Sequence, residues 1–432
     1  MNMMVSRRGL LGGLALGGTA ALLPRAAFAW KVDGAALYPA TNAFIKGFVD
    51  RRELAGTLAA IGKGQESPVF FGAGVQSIDG AVPVGPDTLW RLYSMTKPIT
   101  GIAAMLLIED GKMKLDQPIA DFLPAFANMT VQNVPDGSIT DVRPAKGPIT
   151  VRQLLTHTAG LGYGIMQKGP IKKAYDDAGI FGGQVSRLPI PGLPTTKPAP
   201  SLAEFADRLA KLPLVYEPGT RWSYSVSLDL TGRLIEVVSG QPFDAFLKAR
   251  IFDPLGMAST GFRVAERDVG RFTTNYAPMG GALLPVDPAT SSIYLDQPPI
   301  PYGGGGLVSS ARDYDRFLAM LLGDGQIAGA TGGVRVMRPE TARLAMSNLI
   351  SDSVERKGTF IDGQGFGAGG RVSLPTSPGG EGIFGWAGAA GTIGFVHRGL
   401  GYRAAGYTQI MPSDAVPFQS KFGETFFKDV MA

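Results

Sequence analysis

The chain has 432 residues, no cysteine and a formal net charge of +5. Hydrophobic residues make up 45 % of it and charged residues 18 %, a balance typical of a folded globular protein and not of a disordered one. Zero cysteines exclude disulfides, and only two histidines argue against a zinc site, so we predict no metal and no cofactor. No basic run with interleaved aromatic residues occurs, and we therefore predict no nucleic-acid partner.

Residues 1–29 have the pattern of an export signal. Arg7 and Arg8 precede an apolar stretch over residues 9–23, and an A-x-A sequence ends at Ala29. This pattern predicts a twin-arginine signal peptide that is cleaved after Ala29, with the twin-arginine export machinery as partner and a periplasmic or secreted location. The apolar stretch is short for a spanning helix, so we predict no stable membrane anchor. Without the arginines of this segment the net charge is about +2, which gives no reason to expect an anionic partner.

The pattern of apolar residues, glycines and prolines predicts the remaining elements. In chain order they are a helix over 37–52, strands over 56–61 and 68–78, a buried helix ending near 110, a helical region over about 115–257 interrupted by a Gly/Pro-rich stretch at 160–200, a long loop at 275–301, a helix over 311–322, strands over 365–374, 383–387, 392–398 and 402–411, and a final helix over 418–431. We expect the first and last strands to pair in one antiparallel sheet flanked by helices, an α/β fold of the α+β type with an inserted helical lobe. The mature domain, 30–432, would then comprise a sheet lobe (about 30–114 and 300–432) and a helical lobe (about 115–299), with the functional site between them.

Ser94 and Lys97 form the first candidate pair. They stand three residues apart where an extended segment meets an apolar helix, a spacing that places both side chains on one helix face. Lysine is rarely buried in a protein core unless it has a partner or a function, so a lysine inside an apolar helix indicates a functional residue. An unprotonated lysine amine can take the proton of a neighbouring serine, which makes the serine a nucleophile without any histidine.

Tyr224 is the third candidate. It ends a turn that begins at Glu217 and leads into a long helix over 228–240. Close to Lys97, a tyrosine in its phenolate form could accept the serine proton and later protonate a leaving alkoxide. From this segment alone, an aromatic residue packing at a helix start is an equally good interpretation.

Several motifs in this order resemble the serine β-lactamase-related proteins. The motifs are S-M-T-K (94–97), E-P-G-T-R-W-S-Y-S (217–225), I-E-V-V-S-G-Q-P-F (235–243), P-L-G-M (254–257), Y-G-G-G-G-L-V-S-S-A-R-D-Y (302–314) and W-A-G-A-A-G-T (386–392). The resemblance covers roughly residues 44–412. It implies the fold of class C β-lactamases and D,D-peptidases, and is closest to the family VIII carboxylesterases. It also implies an acyl-enzyme on Ser94, with Lys97 and Tyr224 as base and acid, and an oxyanion hole made by the N–H groups of Ser94 and Ala389.

Two departures from the lactamase pattern favour an esterase. Val226 stands where class C lactamases have an asparagine that binds the amide of a β-lactam, and the Trp386-Ala387-Gly388 triplet replaces Lys-Thr-Gly. A buried carboxylate would find no cation there. We therefore expect Trp386, Gly388 and Val226 to line the site of a small neutral ester, cleaved by a carboxylesterase-type serine hydrolase (EC 3.1.1.-). The alternatives are a β-lactamase or D-amino-acid peptidase acting on cell-wall amides, and a penicillin-binding protein whose catalysis has decayed.

Other catalytic interpretations find less support. No G-x-S-x-G sequence occurs, so the nucleophile elbow of α/β-hydrolases is absent. We predict that His157 is a hydrogen-bonded core residue and that His397 is exposed on a strand. The glycine run 303–306 lacks the Lys-Ser/Thr of a phosphate-binding loop, which indicates a tight backbone passage near the site.

Overall fold

The computed structural model describes residues 33–190, 196–328, 333–377 and 379–431. The predicted signal peptide and its cleavage position lie outside these residues. The described strands are β1 (Gly56–Lys63), β2 (Val69–Gly74), β3 (Leu89–Arg91), β4 (Thr130–Gln132), β5 (Val142–Pro144), β6 (Asn275–Met279), β7 (Ala282–Asp287), β8 (Val308–Ser310), β9 (Gln326–Ile327), β10 (Val334–Arg335), β11 (Gly365–Phe366), β12 (Arg371–Val372), β13 (Ile383–Ala387), β14 (Ile393–His397) and β15 (Tyr402–Tyr407).

The helices surround and connect these strands. The described α-helices are α1 (Gly34–Leu37), α2 (Pro39–Asp50), α3 (Thr96–Glu109), α4 (Val151–Leu155), α5 (Gly169–Asp177), α6 (Leu202–Leu209), α7 (Ser227–Ser239), α8 (Phe243–Leu247), α9 (Asp253–Leu255), α10 (Ala311–Leu322), α11 (Pro339–Ala345) and α12 (Phe418–Val430). None of the helices in the described residues is both long and apolar enough to cross a membrane.

The main sheet joins the two ends of the described chain. Its seven strands run in the order β11-β12-β13-β14-β15-β1-β2, and all neighbours are antiparallel. The N-terminal hairpin attaches through β1 and β15, where Leu58 lies opposite Tyr407. The predicted fold class, an antiparallel sheet assembled from the first and last segments, is confirmed.

Side-chain alternation along β1 assigns the two faces of the sheet to different helices. Ala59 and Ile61 belong to the same core cluster as aromatic residues of α2 and α12, whereas Leu58 and Ala60 belong to the cluster that includes α10. Successive residues of a strand point to opposite faces, so a run of apolar residues can serve both layers. The sheet is therefore covered on both faces.

Helix α3 lies at the centre of the larger core cluster. Its residues from Thr96 to Leu107 are all buried, and it packs against α7 from the inserted region and against α11. The N-terminal end of α3 consequently lies where the sheet and the inserted region meet. That junction holds the candidate site.

Three local predictions were wrong. The stretch 275–301 is not simply a loop, since it contains the hairpin of β6 and β7. The predicted strand over 365–374 is two short strands, β11 and β12, joined by a turn. His397 is buried, with 4 % of its surface exposed, because β14 is a central strand and its ring packs against Phe427 beneath α12.

Candidate active site

Ser94 is placed by a short turn between β3 and α3. Strand β3 ends at Arg91, whose buried guanidinium pairs with Asp287 (Nη2–Oδ2 2.5 Å). Tyr93 then has a positive φ of 44°, a backbone conformation that residues other than glycine rarely adopt. A 3₁₀ turn over Tyr93–Met95 leads directly into α3. Ser94 is partly exposed while the residues on both sides of it are buried, so the turn presents its hydroxyl to the cleft.

Lys97 lies one turn into α3 and is fully buried. Its Nζ contacts Ser94 Oγ at 3.1 Å and donates to the carbonyl oxygen of Gly304 at 2.5 Å. The predicted Ser94–Lys97 contact is therefore present. The contact with Gly304 shows that the glycine run passes close to the site, as expected. A side chain at Gly304 would not fit, because its Cβ would lie 2.5 Å from a carboxylate oxygen of the buried Asp229.

Tyr224 approaches Ser94 from the inserted region, just before α7. Its hydroxyl donates a hydrogen bond to Ser94 Oγ at 2.7 Å, and Lys97 Nζ lies 4.6 Å from its ring centroid. Ser94 Oγ thus contacts both predicted partners at once. Side chains separated by 130 positions in the sequence meet because α7 packs along α3.

Asp229 is a buried carboxylate that the sequence analysis missed. It is 1 % exposed, and its Oδ1 accepts the N–H of Gly304 at 2.8 Å. Burial raises the pKa of Asp229 to about 6, and the nearby charge of Lys97 opposes that rise. Gly304 therefore links the two side chains, since its N–H donates to the Asp229 carboxylate and its carbonyl oxygen accepts from Lys97 Nζ. A charged residue among the apolar positions of α7 is the same signal that singled out Lys97, and it could have identified Asp229.

His157 is a core residue, as predicted, and is fully buried. The backbone N–H of Ser225 donates to its Nδ1 at 3.2 Å. Burial first, and then the charge of Lys97, hold the pKa of His157 well below its ordinary value of 6.5. A neutral imidazole whose Nδ1 accepts a hydrogen bond carries its proton on Nε2. It has no free lone pair with which to accept the proton of Ser94.

The two predicted oxyanion-hole groups come from different elements, since Ser94 lies in the turn before α3 and Ala389 follows the end of β13. A Cβ on Gly388 would lie 2.1 Å from the carbonyl oxygen of Leu92, so only glycine allows the chain after β13 to approach the turn that carries Ser94 this closely. Ala389 follows and is exposed. Within the described residues, neither the N–H of Ser94 nor that of Ala389 has a hydrogen-bond acceptor. Their role as an oxyanion hole stays a prediction.

The three predicted substrate-binding residues have different surroundings. Trp386 donates its indole N–H to the hydroxyl oxygen of Tyr224 at 3.3 Å, so it acts on the tyrosine directly. Val226 is fully buried, and Gly388 is buried against the turn that carries Ser94. Their contact with a substrate stays a prediction.

Aromatic rings enclose the tyrosine. The ring centroids of Tyr163, Trp222, Trp386 and Phe360 lie 5.5–6.0 Å from that of Tyr224. Phe360 and Tyr163 were not identified from the sequence. In the described part of the chain, no group of three or more His, Cys, Asp or Glu side chains is arranged to hold a metal ion.

Comparison with known proteins agrees with this fold. The Beta-lactamase family model matches residues 41–419. An uncharacterised protein of Mycobacterium tuberculosis is 36 % identical over 332 residues, 74 % of this chain and 77 % of its own. Esterase EstB of Burkholderia gladioli is 31 % identical over 406 residues, 89 % of this chain and 92 % of its own.

A solved structure matches over almost its full length. It is that of EstCE1, described as a hydrolase with promiscuous acyltransferase activity. It superimposes with a TM-score of 0.71 at 24 % identity, covering 92 % of this chain and 99 % of that one. This likeness shows the fold, and the match of the family model over residues 41–419 shows that the chain belongs to the Beta-lactamase family.

Proposed function

We propose that this protein is a carboxylesterase that forms an acyl-enzyme on Ser94. The observation that carries the proposal is the position of Ser94 Oγ, 3.1 Å from Lys97 Nζ and 2.7 Å from the hydroxyl of Tyr224. A nucleophile within hydrogen-bond reach of its base is the geometry that covalent catalysis requires. The similarity to an esterase over nine-tenths of the chain supports the same reaction class.

Acylation begins when the Lys97–Tyr224 pair, with the Lys97 amine unprotonated and the Tyr224 hydroxyl protonated, takes the proton of Ser94. The serine oxygen forms a bond to the ester carbonyl carbon, and the negative carbonyl oxygen is held by the N–H groups of Ser94 and Ala389. When the bond between carbon and alcohol oxygen breaks, Tyr224 returns the proton to the alkoxide and the alcohol leaves. A water molecule then loses its proton to the same pair and attacks the acyl-enzyme, which releases the acid and restores Ser94.

Asp229 and Gly304 support this cycle without contacting the substrate. Lys97 has no carboxylate within ion-pair distance among the described residues, and Gly304 links it to Asp229. When the lysine takes the proton of Ser94 it becomes an ammonium, and a buried ammonium without a compensating charge is costly. The Asp229 carboxylate therefore offsets the charge that forms on Lys97 in each step.

The surroundings of Tyr224 favour a neutral ester over a β-lactam. A β-lactam carries a carboxylate and an acylamido group, and the positions expected to meet them are Trp386 and Val226. Neither side chain offers a cation or an amide, so the polar groups of a lactam would be desolvated without partners. The alternatives of a lactamase and of a D-amino-acid peptidase are less well supported for this reason. Loss of catalysis is disfavoured because Ser94, Lys97 and Tyr224 remain in mutual contact.

Hydrolysis of p-nitrophenyl butyrate by the purified protein and its variants tests the proposal. We expect Ser94→Ala, Lys97→Ala and Tyr224→Phe each to lower kcat/KM by at least about 10²-fold, the usual cost of removing a nucleophile or general base. His157→Ala, measured on folded protein, is the matched control and should lose less than about tenfold. If that variant were as inactive as Ser94→Ala, the proton path proposed here would be wrong.

We also propose that the chain is exported by the twin-arginine route to the periplasm or beyond. The support is the sequence of residues 1–29, with its paired arginines and A-x-A site. Changing Arg7 and Arg8 to lysine should leave uncleaved precursor in the cytoplasm, detected by fractionation and immunoblotting. Unchanged processing of this double variant would refute the route.

A further inference from the structure

Phe360 stands out among the described aromatic residues because it is exposed. Fifty-eight per cent of its surface is accessible, and no other phenylalanine or tryptophan in the described ranges is exposed. Its ring meets that of Tyr224 edge to face at 5.8 Å and also contacts Trp222 at 6.3 Å. An apolar ring thus extends the buried aromatic cluster outward, directly beside the proposed general acid.

The segment that carries Phe360 is tightly braced. Gly358 donates its N–H to the Asp362 carboxylate at 2.9 Å, and the Thr359 hydroxyl donates to the carbonyl of Arg356 at 2.6 Å. The next residue, Ile361, is fully buried. The hydrogen bonds of this loop and the burial of Ile361 therefore hold the Phe360 side chain in its exposed position.

The same loop is tied to the segment that positions Tyr224. The backbone of Glu355 exchanges two hydrogen bonds with it, accepting from Trp222 N–H and donating to the Thr220 carbonyl, both at 2.9 Å. The tyrosine and the exposed phenylalanine are thereby held in one arrangement. The backbone therefore fixes the position of the Phe360 ring beside Tyr224.

Proton transfer identifies which half of a substrate this ring would meet. In the proposed reaction Tyr224 protonates the oxygen of the departing alcohol, so that oxygen comes within hydrogen-bond distance of the tyrosine hydroxyl. The alcohol carbons then begin beside the tyrosine ring. Trp222 and Trp386 are buried on the inner sides of that ring, which leaves Phe360 as its solvent-facing neighbour.

We propose that Phe360 determines specificity for the alcohol half of the ester and selects uncharged alcohols with an aromatic or extended apolar group. This proposal rests on the esterase function proposed above. Aromatic surface buried against the Phe360 ring on binding would be removed from water, and that gain is available to a naphthyl or phenyl group and not to an ethyl group. The acyl half, bound to Ser94 throughout deacylation, would not depend on Phe360.

The test compares butyrate esters of different alcohols on the wild type and on Phe360→Ala. The expected result is a fall of about tenfold in kcat/KM for 2-naphthyl butyrate, a change of less than about twofold for ethyl butyrate, and an unchanged rate of deacylation of the shared butyryl-enzyme. Because each ester is compared between enzymes, its intrinsic reactivity cancels. Phe360→Leu should recover most of the loss, and Leu37→Ala, which removes another exposed apolar side chain, should behave as wild type.

Three results would overturn the proposal. Equal losses for all alcohols would mean that Phe360 only supports Tyr224. Losses that follow acyl-chain length at constant alcohol would place Phe360 on the acyl side. A wild-type protein that cleaves no ester would refute the esterase function and this inference together, whereas the first two results leave the esterase function standing.

Discussion

The indole N–H of Trp386 donates a hydrogen bond to the hydroxyl oxygen of Tyr224, at 3.3 Å. The hydroxyl of Tyr224 donates a hydrogen bond to Ser94 Oγ, so the tyrosine hydroxyl accepts on one side and donates on the other. In the proposed reaction this oxygen becomes negative when Tyr224 protonates the leaving alkoxide, and the indole N–H would then stabilise it. Trp386, expected from the sequence to meet the substrate, is also a positioning residue for the proposed acid and base.

Replacing Trp386 with phenylalanine should lower kcat for p-nitrophenyl esters by about 10-fold to 100-fold. A hydrogen bond to a charged group is worth about 1.5–3 kcal/mol, and here it is strongest in the charged state of Tyr224. The loss should appear in kcat more than in KM, measured by steady-state kinetics.

Trp222→Phe is the matched control for this prediction. Trp222 stacks on the same tyrosine at 6.0 Å, but its indole N–H has no partner among the described residues. It should retain most of the wild-type kcat. Equal losses in the two variants would show that ring packing matters and the hydrogen bond does not.

Asp229 should make stability depend on pH. Its pKa in the folded protein, about 6, lies above its ordinary value of 3.8, so the folded state binds more protons than the unfolded state between these values. The free energy of unfolding therefore falls as pH rises from about 4 to 6, by roughly 3 kcal/mol in total at 1.36 kcal/mol per pKa unit. Asp229→Asn keeps an acceptor for Gly304 N–H and cannot titrate.

Denaturant unfolding of both proteins between pH 4 and pH 8 measures this effect. The stability of the wild type relative to Asp229→Asn should be greatest near pH 4 and should decline to a plateau above pH 7. A difference that stays constant, or that grows with pH, would mean that Asp229 is not a protonated carboxyl at low pH.

Short-chain uncharged esters should be cleaved much faster than β-lactams. Each unpaired polar group of a bound lactam costs about 1–3 kcal/mol, which is roughly tenfold to a hundredfold in relative transition-state binding. The measurement is kcat/KM for p-nitrophenyl butyrate and for nitrocefin on one preparation. Comparable values, or a preference for nitrocefin, would favour the lactamase alternative.

The fold could be predicted from sequence where the pattern is local and strong. Helix α10 begins at Ala311 and ends at Leu322 as expected, since Ser310 caps it and its apolar face is regular. The expected pairing of the first and last strands in one antiparallel sheet is confirmed, with β1 beside β15. Hairpin β6–β7 was missed because its strands are short, each contains a proline, and their residues alternate little between buried and exposed positions.

The residues of the site that could be predicted are those that residue type and sequence spacing identify. Ser94 and Lys97 are close in sequence, and a helix brings them into contact without further information. Asp229, Gly304 and Phe360 act through contacts between distant segments. Such contacts depend on how α3, α7 and the loop carrying Phe360 pack, and the sequence pattern does not determine that packing.

The central claim is a covalent acyl-enzyme on Ser94, and intact-protein mass spectrometry tests it most directly. The protein is mixed with excess p-nitrophenyl butyrate, quenched in acid within the first turnover and digested to locate the modification. We predict that the protein gains the mass of one butyryl group and that the peptide containing Ser94 carries it. The gain should be absent from Ser94→Ala and should disappear when the reaction is left to finish. A butyryl group on another residue, or ester cleavage that continues at the wild-type rate in Ser94→Ala, would contradict the account.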